Sequence, residues 1–186
     1  MRALLRLARF TLVLAALAPC TPTATAQAVV VVRHAEKASE TERDPVLSPA
    51  GEARAAALDS AVSGLRFSAI IVTPFQRTRQ TAAVVARRNG LTPIEVPVIG
   101  GVAAHALAVA TEAARHTGNV LVVGHSNTVG EIVAALGGSR DIGDLCDSEY
   151  QSLFIVLRNV PDATVRARFG GANPAHLPAC GVMRAP

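Results

Sequence analysis

Residues 28–36 read Ala-Val-Val-Val-Val-Arg-His-Ala-Glu, an uninterrupted apolar run that ends abruptly in charged residues. Two further short runs rich in Val and Ile, at residues 69–72 and 120–123, also end abruptly in polar residues. Runs this short and this continuously apolar are typical of strands buried on both faces of a parallel sheet. The sequence therefore predicts three core strands. If they are neighbours, their polar ends meet at one edge of the sheet, where ligands bind in α/β proteins.

Helical patterns fill the intervals between the apolar runs. Ser48 and Pro49 have the residue types of an N-cap and a first helical position, and apolar residues follow at helix spacing. Thr73 and Gln76 fit a capping box at the start of a second helix. Further helices are predicted at about 102–116 and 129–136, and further strands at 93–98, 153–157 and 165–169, the last of them as an edge strand.

The alternation of strands and helices predicts an α/β fold. The expected architecture is a three-layer helix–sheet–helix sandwich with a mostly parallel central sheet. The 186 residues suit one domain, and half of them are apolar, which is enough for a sizeable core. The tail from about residue 170 is rich in Gly, Ala and Pro and is predicted to be irregular.

The first 26 residues have the pattern of a secretory signal peptide. A basic start is followed by an apolar stretch over residues 10–18 and by small residues that end in Ala24-Thr25-Ala26. We expect cleavage after Ala26, which leaves residues 27–186 as the mature domain, either periplasmic or secreted. No apolar run reaches the roughly 20 residues of a membrane-spanning helix, so stable membrane insertion is not expected.

The net charge of +4 mostly reflects this N-terminal segment. It holds three of the 18 Lys and Arg residues and none of the 14 Asp and Glu residues, so its removal leaves 15 basic and 14 acidic residues. A nearly neutral mature chain gives no support to a nucleic-acid partner.

The three cysteines are consistent with export. Cys20 could carry a lipoprotein anchor, but Pro19 directly before it fits that signal badly. Cleavage after residue 26 leaves Cys146 and Cys180, which could form a disulfide between the C-terminal tail and the body of the domain. The alternative is that both are independent small apolar residues.

The polar ends of the three core strands supply two histidines and two arginines. Arg33 and His34 follow the first strand, Arg77 follows the second and His125 follows the third. Two guanidinium groups and the N-termini of two helices suit the binding of a phosphoryl group. A neutral imidazole can attack phosphorus when its other nitrogen is held by an acceptor. The histidine spacings are not those of a typical zinc site, so no metal is predicted.

Four motifs resemble those of the histidine phosphatase superfamily, the phosphoglycerate mutase-like proteins. Residues 32–36, Val-Arg-His-Ala-Glu, resemble its Arg-His-Gly-Glu signature, and residues 47–51, Leu-Ser-Pro-Ala-Gly, resemble its step into the first helix. Residues 73–82 resemble its second-arginine motif and residues 123–126 its second-histidine motif. The motifs occur in the order of the family, and they cover about residues 28–136.

The resemblance implies a phosphoglycerate mutase-like fold and assigns roles to four residues. His34 would be the nucleophile that forms a phosphohistidine. Arg33 and Arg77 would bind the phosphate oxygens, and His125 would complete the phosphate-binding pocket. Neither a metal nor another cofactor is implied, and the partner would be a small phosphorylated substrate.

Two departures from the family pattern concern Ala35 and the general acid. Ala35 replaces the usual Gly after the nucleophile, and Ser126 stands where some members carry an Asp. Between the second arginine and the second histidine the only acids are Glu95 and Glu112. Glu95 is the candidate general acid. The alternative is that the enzyme has no dedicated acid and favours leaving groups that need little protonation, such as those of aryl phosphates.

These observations predict an exported, metal-independent phosphohydrolase. One alternative is a phosphomutase, although the mature chain of 160 residues leaves little room for a lid. The other is a non-catalytic protein on the same scaffold that binds phosphate or interacts with the envelope, because fold alone does not imply function.

Overall fold

The protein is described by a computed structural model over residues 27–173. Its elements are β1 (Ala28–Arg33), α1 (Pro49–Ala61), β2 (Phe67–Val72), α2 (Gln76–Asn89), β3 (Ile94–Glu95), α3 (Val102–Ala114), β4 (Asn119–Gly124), α4 (Val129–Ala135), β5 (Ser152–Leu157) and β6 (Thr164–Arg168). The predicted signal peptide, Cys20, Cys180 and the tail after residue 173 lie outside the described residues. Export and the pairing of Cys146 with Cys180 therefore stay predictions.

The middle layer is a six-stranded sheet with the strand order β3-β2-β4-β1-β5-β6. The first four strands of this order pair in parallel, whereas β5 runs antiparallel to both β1 and β6. Five of the six strands therefore point the same way, and the prediction of a mostly parallel sheet is confirmed. β6 lies at the edge, as its alternating pattern predicted.

The four valines of β1 show how the layers pack. Val29 and Val31 contact the core on the side of α3 and α4, and Val30 and Val32 contact the core on the side of α1 and α2. All four are fully buried, and complete burial of a side chain of this size contributes about 1.5–3 kcal/mol. The continuous apolarity of the strand is therefore explained by helices on both faces, which confirms the helix–sheet–helix sandwich.

Two boundaries differ from the sequence predictions. α2 begins at Gln76, and the predicted capping box is wrong because the Thr73 hydroxyl does not bond the helix backbone. Asp44, in the loop between β1 and α1, accepts the Gln76 amide proton instead, at 2.8 Å. The strand predicted at 93–98 is reduced to the two residues of β3.

The start of α1 holds the loop that follows the first strand. Ser48 is the N-cap, as predicted, and its hydroxyl accepts the Gly51 amide proton at 3.1 Å. Gly51 packs directly on the backbone of Glu36, where a Cβ atom would overlap the Glu36 carbonyl oxygen. The glycine therefore allows the first helix to approach the residues that follow β1.

We expect Gly51→Ala to lower the free energy of unfolding by about 1–3 kcal/mol, because the helix and the Glu36 backbone must separate. Gly64→Ala is the matched control, since a Cβ atom there meets nothing within 4 Å. Chemical denaturation of both variants measures the difference. Equal stability of the two variants would contradict the close packing.

Candidate active site

The site lies at the carboxyl edge of the sheet, where β2, β4 and β1 end side by side. Arg33 ends β1 and is followed by His34, His125 follows β4, and Arg77 lies in the first turn of α2. The rings of His34 and His125 are 5.3 Å apart. The charges of Arg33 and Arg77 both act on the two histidines. The structure thus brings the four predicted residues together.

His34 is held in one tautomer. Its amide donates to the Gly124 carbonyl at 2.9 Å, and its ring Nδ1 lies 2.8 Å from the Ala35 carbonyl oxygen. A carbonyl oxygen can only accept, so Nδ1 carries the proton and Nε2 keeps a lone pair. Burial, together with the positive charges of the two arginines, holds the pKa of His34 well below its usual value. The imidazole is therefore neutral at physiological pH.

Arg33 is anchored through one end of its guanidinium group. Its Nη1 donates to the carbonyl oxygens of Cys146 at 2.7 Å, Asp147 at 3.0 Å and Glu149 at 3.2 Å. Its Cζ lies 4.1 Å from the centre of the Tyr150 ring. Its Nε is buried and has no hydrogen-bond partner among the described residues. A buried N–H donor without a partner is costly, and an oxyanion beside His34 would satisfy it.

Arg77 is positioned by a ring and a carboxylate. Its Cζ lies 4.3 Å from the centre of the Phe75 ring, and its Nη1 is 3.8 Å from Asp44 Oδ1. Its Nε is also buried without a partner in the described part of the chain. Both arginines of the site therefore offer a guanidinium donor to a bound anion.

His125 is oriented by hydroxyl groups and an aromatic contact. Its Nε2 lies 3.1 Å from the Thr73 hydroxyl, which lies 3.0 Å from the Thr78 hydroxyl. The ring of Phe75 meets the His125 ring edge to face at 5.4 Å. Burial, and then the nearby charge of Arg77, lowers the pKa of His125 to about 3. This histidine is therefore also neutral over the physiological range.

Three contributors to the site were not predicted from the sequence. Asp44 holds both the start of α2 and Arg77, and Thr73 orients His125. Tyr150 contacts Arg33 and lies 6.2 Å from the His34 ring, measured between centroids. The position of Thr73 at the end of a core strand could have marked it as a site residue, but the sequence pattern was interpreted as a helix cap. No sequence motif points to Asp44 or Tyr150.

The candidate general acid lies on the edge of the sheet. Glu95 is in β3, its side chain is 44% exposed, and its carboxylate pairs with Arg79 at 3.0 Å. Glu112 is in α3 and pairs with Arg115 and His116. Within residues 27–173, neither acid contacts the two histidines of the site.

Residues 27–173 contain no group of three or more His, Cys, Asp or Glu side chains that could hold a metal ion. Over the same range, every helix is too short or too polar to cross a membrane.

The fold and the site together define the class of this protein. It is a three-layer α/β protein with two histidines and two arginines at the carboxyl edge of its sheet. The family model of the histidine phosphatase superfamily (branch 1) matches residues 29–103. The matched range includes Arg33, His34 and Arg77, and His125 lies beyond it. The match confirms the resemblance that the motifs indicated. None of the curated proteins matches the chain.

Solved structures share the fold at low sequence identity. SixA from Agrobacterium tumefaciens is 20% identical, with 79% of this chain and 99% of that chain covered and a TM-score of 0.55. The protein histidine phosphatase SixA complexed with tungstate is 18% identical, with 77% and 96% covered and a TM-score of 0.54. A mycobacterial glucosyl-3-phosphoglycerate phosphatase in complex with VO3 is 15% identical, with 72% and 99% covered and a TM-score of 0.54. At these identities the likeness shows the fold.

Proposed function

We propose that the protein is a phosphohydrolase that transfers a phosphoryl group from a phosphomonoester or similar substrate to His34 and then to water. One observation carries the proposal. A neutral histidine with a free Nε2 lies within the electrostatic reach of two arginines whose buried Nε donors have no partner among the described residues. The tungstate and VO3 in two of the similar structures are oxyanions, the class of ligand that such donors bind.

The first step forms the phosphohistidine. The Nε2 lone pair of His34 attacks phosphorus, an N–P bond forms, and the leaving oxygen departs with the electron pair of the broken P–O bond. Positive charge develops on the ring, and the Ala35 carbonyl at Nδ1 stabilises it. In the second step a water attacks phosphorus and the N–P electrons return to Nε2. One hydrogen of the water stays with phosphate, and the other is released to solvent as a proton, which balances the negative charge of the leaving group that departed in the first step.

The remaining groups stabilise charge on the transferred phosphoryl group. Arg33 and Arg77 would donate to its oxygens, and their fixed positions keep the cost of reorganisation low. His125 would donate a ring N–H to a third oxygen, with its ring fixed by Thr73. Catalysis would therefore depend on positioning and electrostatics from side chains alone, and it would need no metal.

Neither of the two acids between Arg77 and His125 would assist the leaving group. The carboxylates of Glu95 and Glu112 pair with surface cations, so neither supports protonation of a leaving oxygen at His34. The favoured substrates would then be those whose leaving group is stable as an anion, such as aryl phosphates or acyl phosphates.

The test is hydrolysis of p-nitrophenyl phosphate by purified residues 27–186 in the presence of EDTA. We expect turnover that EDTA does not reduce. Because the pKa values of both histidines are lowered in the free protein, we also expect no loss of kcat/KM from their protonation between pH 8 and pH 5. Binding of inorganic phosphate without turnover at any pH from 4 to 9 would favour the non-catalytic phosphate-binding protein.

We also propose that the domain acts outside the cytoplasm, on the basis of the signal-peptide pattern of residues 1–26. N-terminal sequencing of the protein from a periplasmic or culture fraction is expected to begin at Gln27. An uncut N-terminus on protein that stays in the cytoplasm would contradict export.

A further inference from the structure

We propose that a cavity connected to the His34 site through Tyr150 binds the leaving group of the substrate, and that this group, apart from the oxygen bonded to phosphorus, is uncharged and largely apolar, with an aryl ring as its chemical class. The inference rests on the proposed phosphohydrolase function and adds the substrate class to it.

The cavity lies at the same edge of the sheet as the catalytic residues. It has a volume of about 570 Å³ and is lined by the loop after His34, the first turns of α1, Tyr150 and the residues after β6. β6 points in the same direction as β1, and Tyr150 precedes β5, which runs the opposite way. All four segments therefore meet at the carboxyl edge, and the volume suits a small organic group.

Tyr150 connects the cavity to the phosphoryl site. The same ring that lines the cavity lies 4.1 Å from Arg33 Cζ and 6.2 Å from the ring of His34. A phosphoryl group held by Arg33 and attacked by His34 would therefore lie close to this ring. The group on the other side of the scissile bond would reach the cavity along the tyrosine, and an aryl ring can stack there.

The charged residues around the cavity already have partners. Arg54 Nε lies 2.9 Å from both carboxylate oxygens of Glu36, and its Nη1 donates to the carbonyls of Phe169 and Gly171. At the rim, Lys37 pairs with Glu40 at 2.6 Å. A second charged group on the substrate would have to compete with the buried Glu36–Arg54 pair. An uncharged leaving group would leave that pair intact.

Three alanines also line the cavity. Ala50 and Ala53 of α1 and Ala172 present methyl groups to the cavity. Apolar surface that a leaving group removes from water here would contribute to binding. The same group departs best when its oxygen needs no proton, which is true of an aryl oxide. The cavity therefore suits the aryl leaving groups that the proposed function favours.

The experiment fills the cavity from α1 and compares two substrates. Ala53 is solvent-exposed, so Ala53→Trp enters the cavity without disturbing the core. Ala61→Trp is the matched control, because Ala61 is also exposed on α1 and lies about 12 Å further along the helix. The substrates are 2-naphthyl phosphate, whose leaving group would occupy the cavity, and acetyl phosphate, whose leaving group is small.

We expect Ala53→Trp to lower kcat/KM for 2-naphthyl phosphate about tenfold and to leave acetyl phosphate within about twofold, with Ala61→Trp changing neither. Thermal unfolding confirms that both variants fold. If Ala53→Trp lowered kcat/KM equally for both substrates, or for neither, the leaving-group site would be overturned. The proposed function would still stand in that case, provided that the unmodified protein hydrolyses acetyl phosphate. An unmodified protein that hydrolyses neither substrate would overturn both.

Discussion

Replacing His34 by Ala is expected to lower kcat for p-nitrophenyl phosphate by about 10⁴-fold or more, because the variant has no nucleophile for the first transfer. Among residues 27–173, the histidine ring in contact with His34 is that of His125, and its Nε2 is engaged by the Thr73 hydroxyl. The measurement is kcat with saturating substrate, joined to isolation of an acid-labile phosphoenzyme after a rapid quench. Only the unmodified protein should yield the phosphoenzyme.

The matched control for this prediction is His116→Ala. His116 is partly exposed, and its recorded partner is Glu112, away from the site. We expect its loss to leave kcat within about twofold, as is usual for surface substitutions that are distant from special features. Equal activity of His34→Ala and the unmodified protein would exclude the covalent mechanism.

Much of the fold was predictable because it depends on local patterns. The valines of residues 29–32 are buried on both faces, and this is the arrangement that a continuous apolar run indicates. Ser48 caps α1 through a bond to a residue three positions away. A sequence pattern can show interactions over so short a range, so the start of the first helix and the positions of the three core strands agree with the structure.

The start of α2 was mispredicted because its stabilising contact is not local. Thr73 and Gln76 have the residue types of a capping box, but the Thr73 hydroxyl bonds His125 and Thr78. The Gln76 amide bonds Asp44, which lies 32 residues earlier. A pattern within four residues cannot show a partner at that separation. The competing use of Thr73 in the site therefore overrides its propensity to cap a helix.

The support of Arg33 was not predictable for a different reason. Its Nη1 bonds three main-chain carbonyls, those of Cys146, Asp147 and Glu149. Backbone oxygens are the same in every residue type, so no sequence motif marks them. The four catalytic candidates were predictable because phosphoryl chemistry requires particular side-chain types. The main-chain carbonyls that hold Arg33 are placed by the course of the backbone, which no residue type identifies.

Arg77→Ala is expected to lower kcat/KM for p-nitrophenyl phosphate by about 10²–10³-fold, the usual effect of removing one donor to the charge that develops in a transition state. Its guanidinium acts on both histidines and is held near Asp44. The loss removes a donor to the transferred phosphoryl oxygens, so it should reduce kcat as well as binding. Inhibition by vanadate, which resembles the transferred group, should weaken in parallel.

Arg79→Ala is the matched control, because Arg79 lies on the same helix and pairs with Glu95 at the surface. We expect it to keep kcat/KM within about twofold, although it frees the carboxylate of Glu95. If Arg79→Ala lost as much activity as Arg77→Ala, the assignment of the phosphate contact to Arg77 would be wrong. If Arg77→Ala raised KM and left kcat unchanged, the guanidinium would bind the substrate and the transition state equally well. Only interactions that strengthen in the transition state raise kcat.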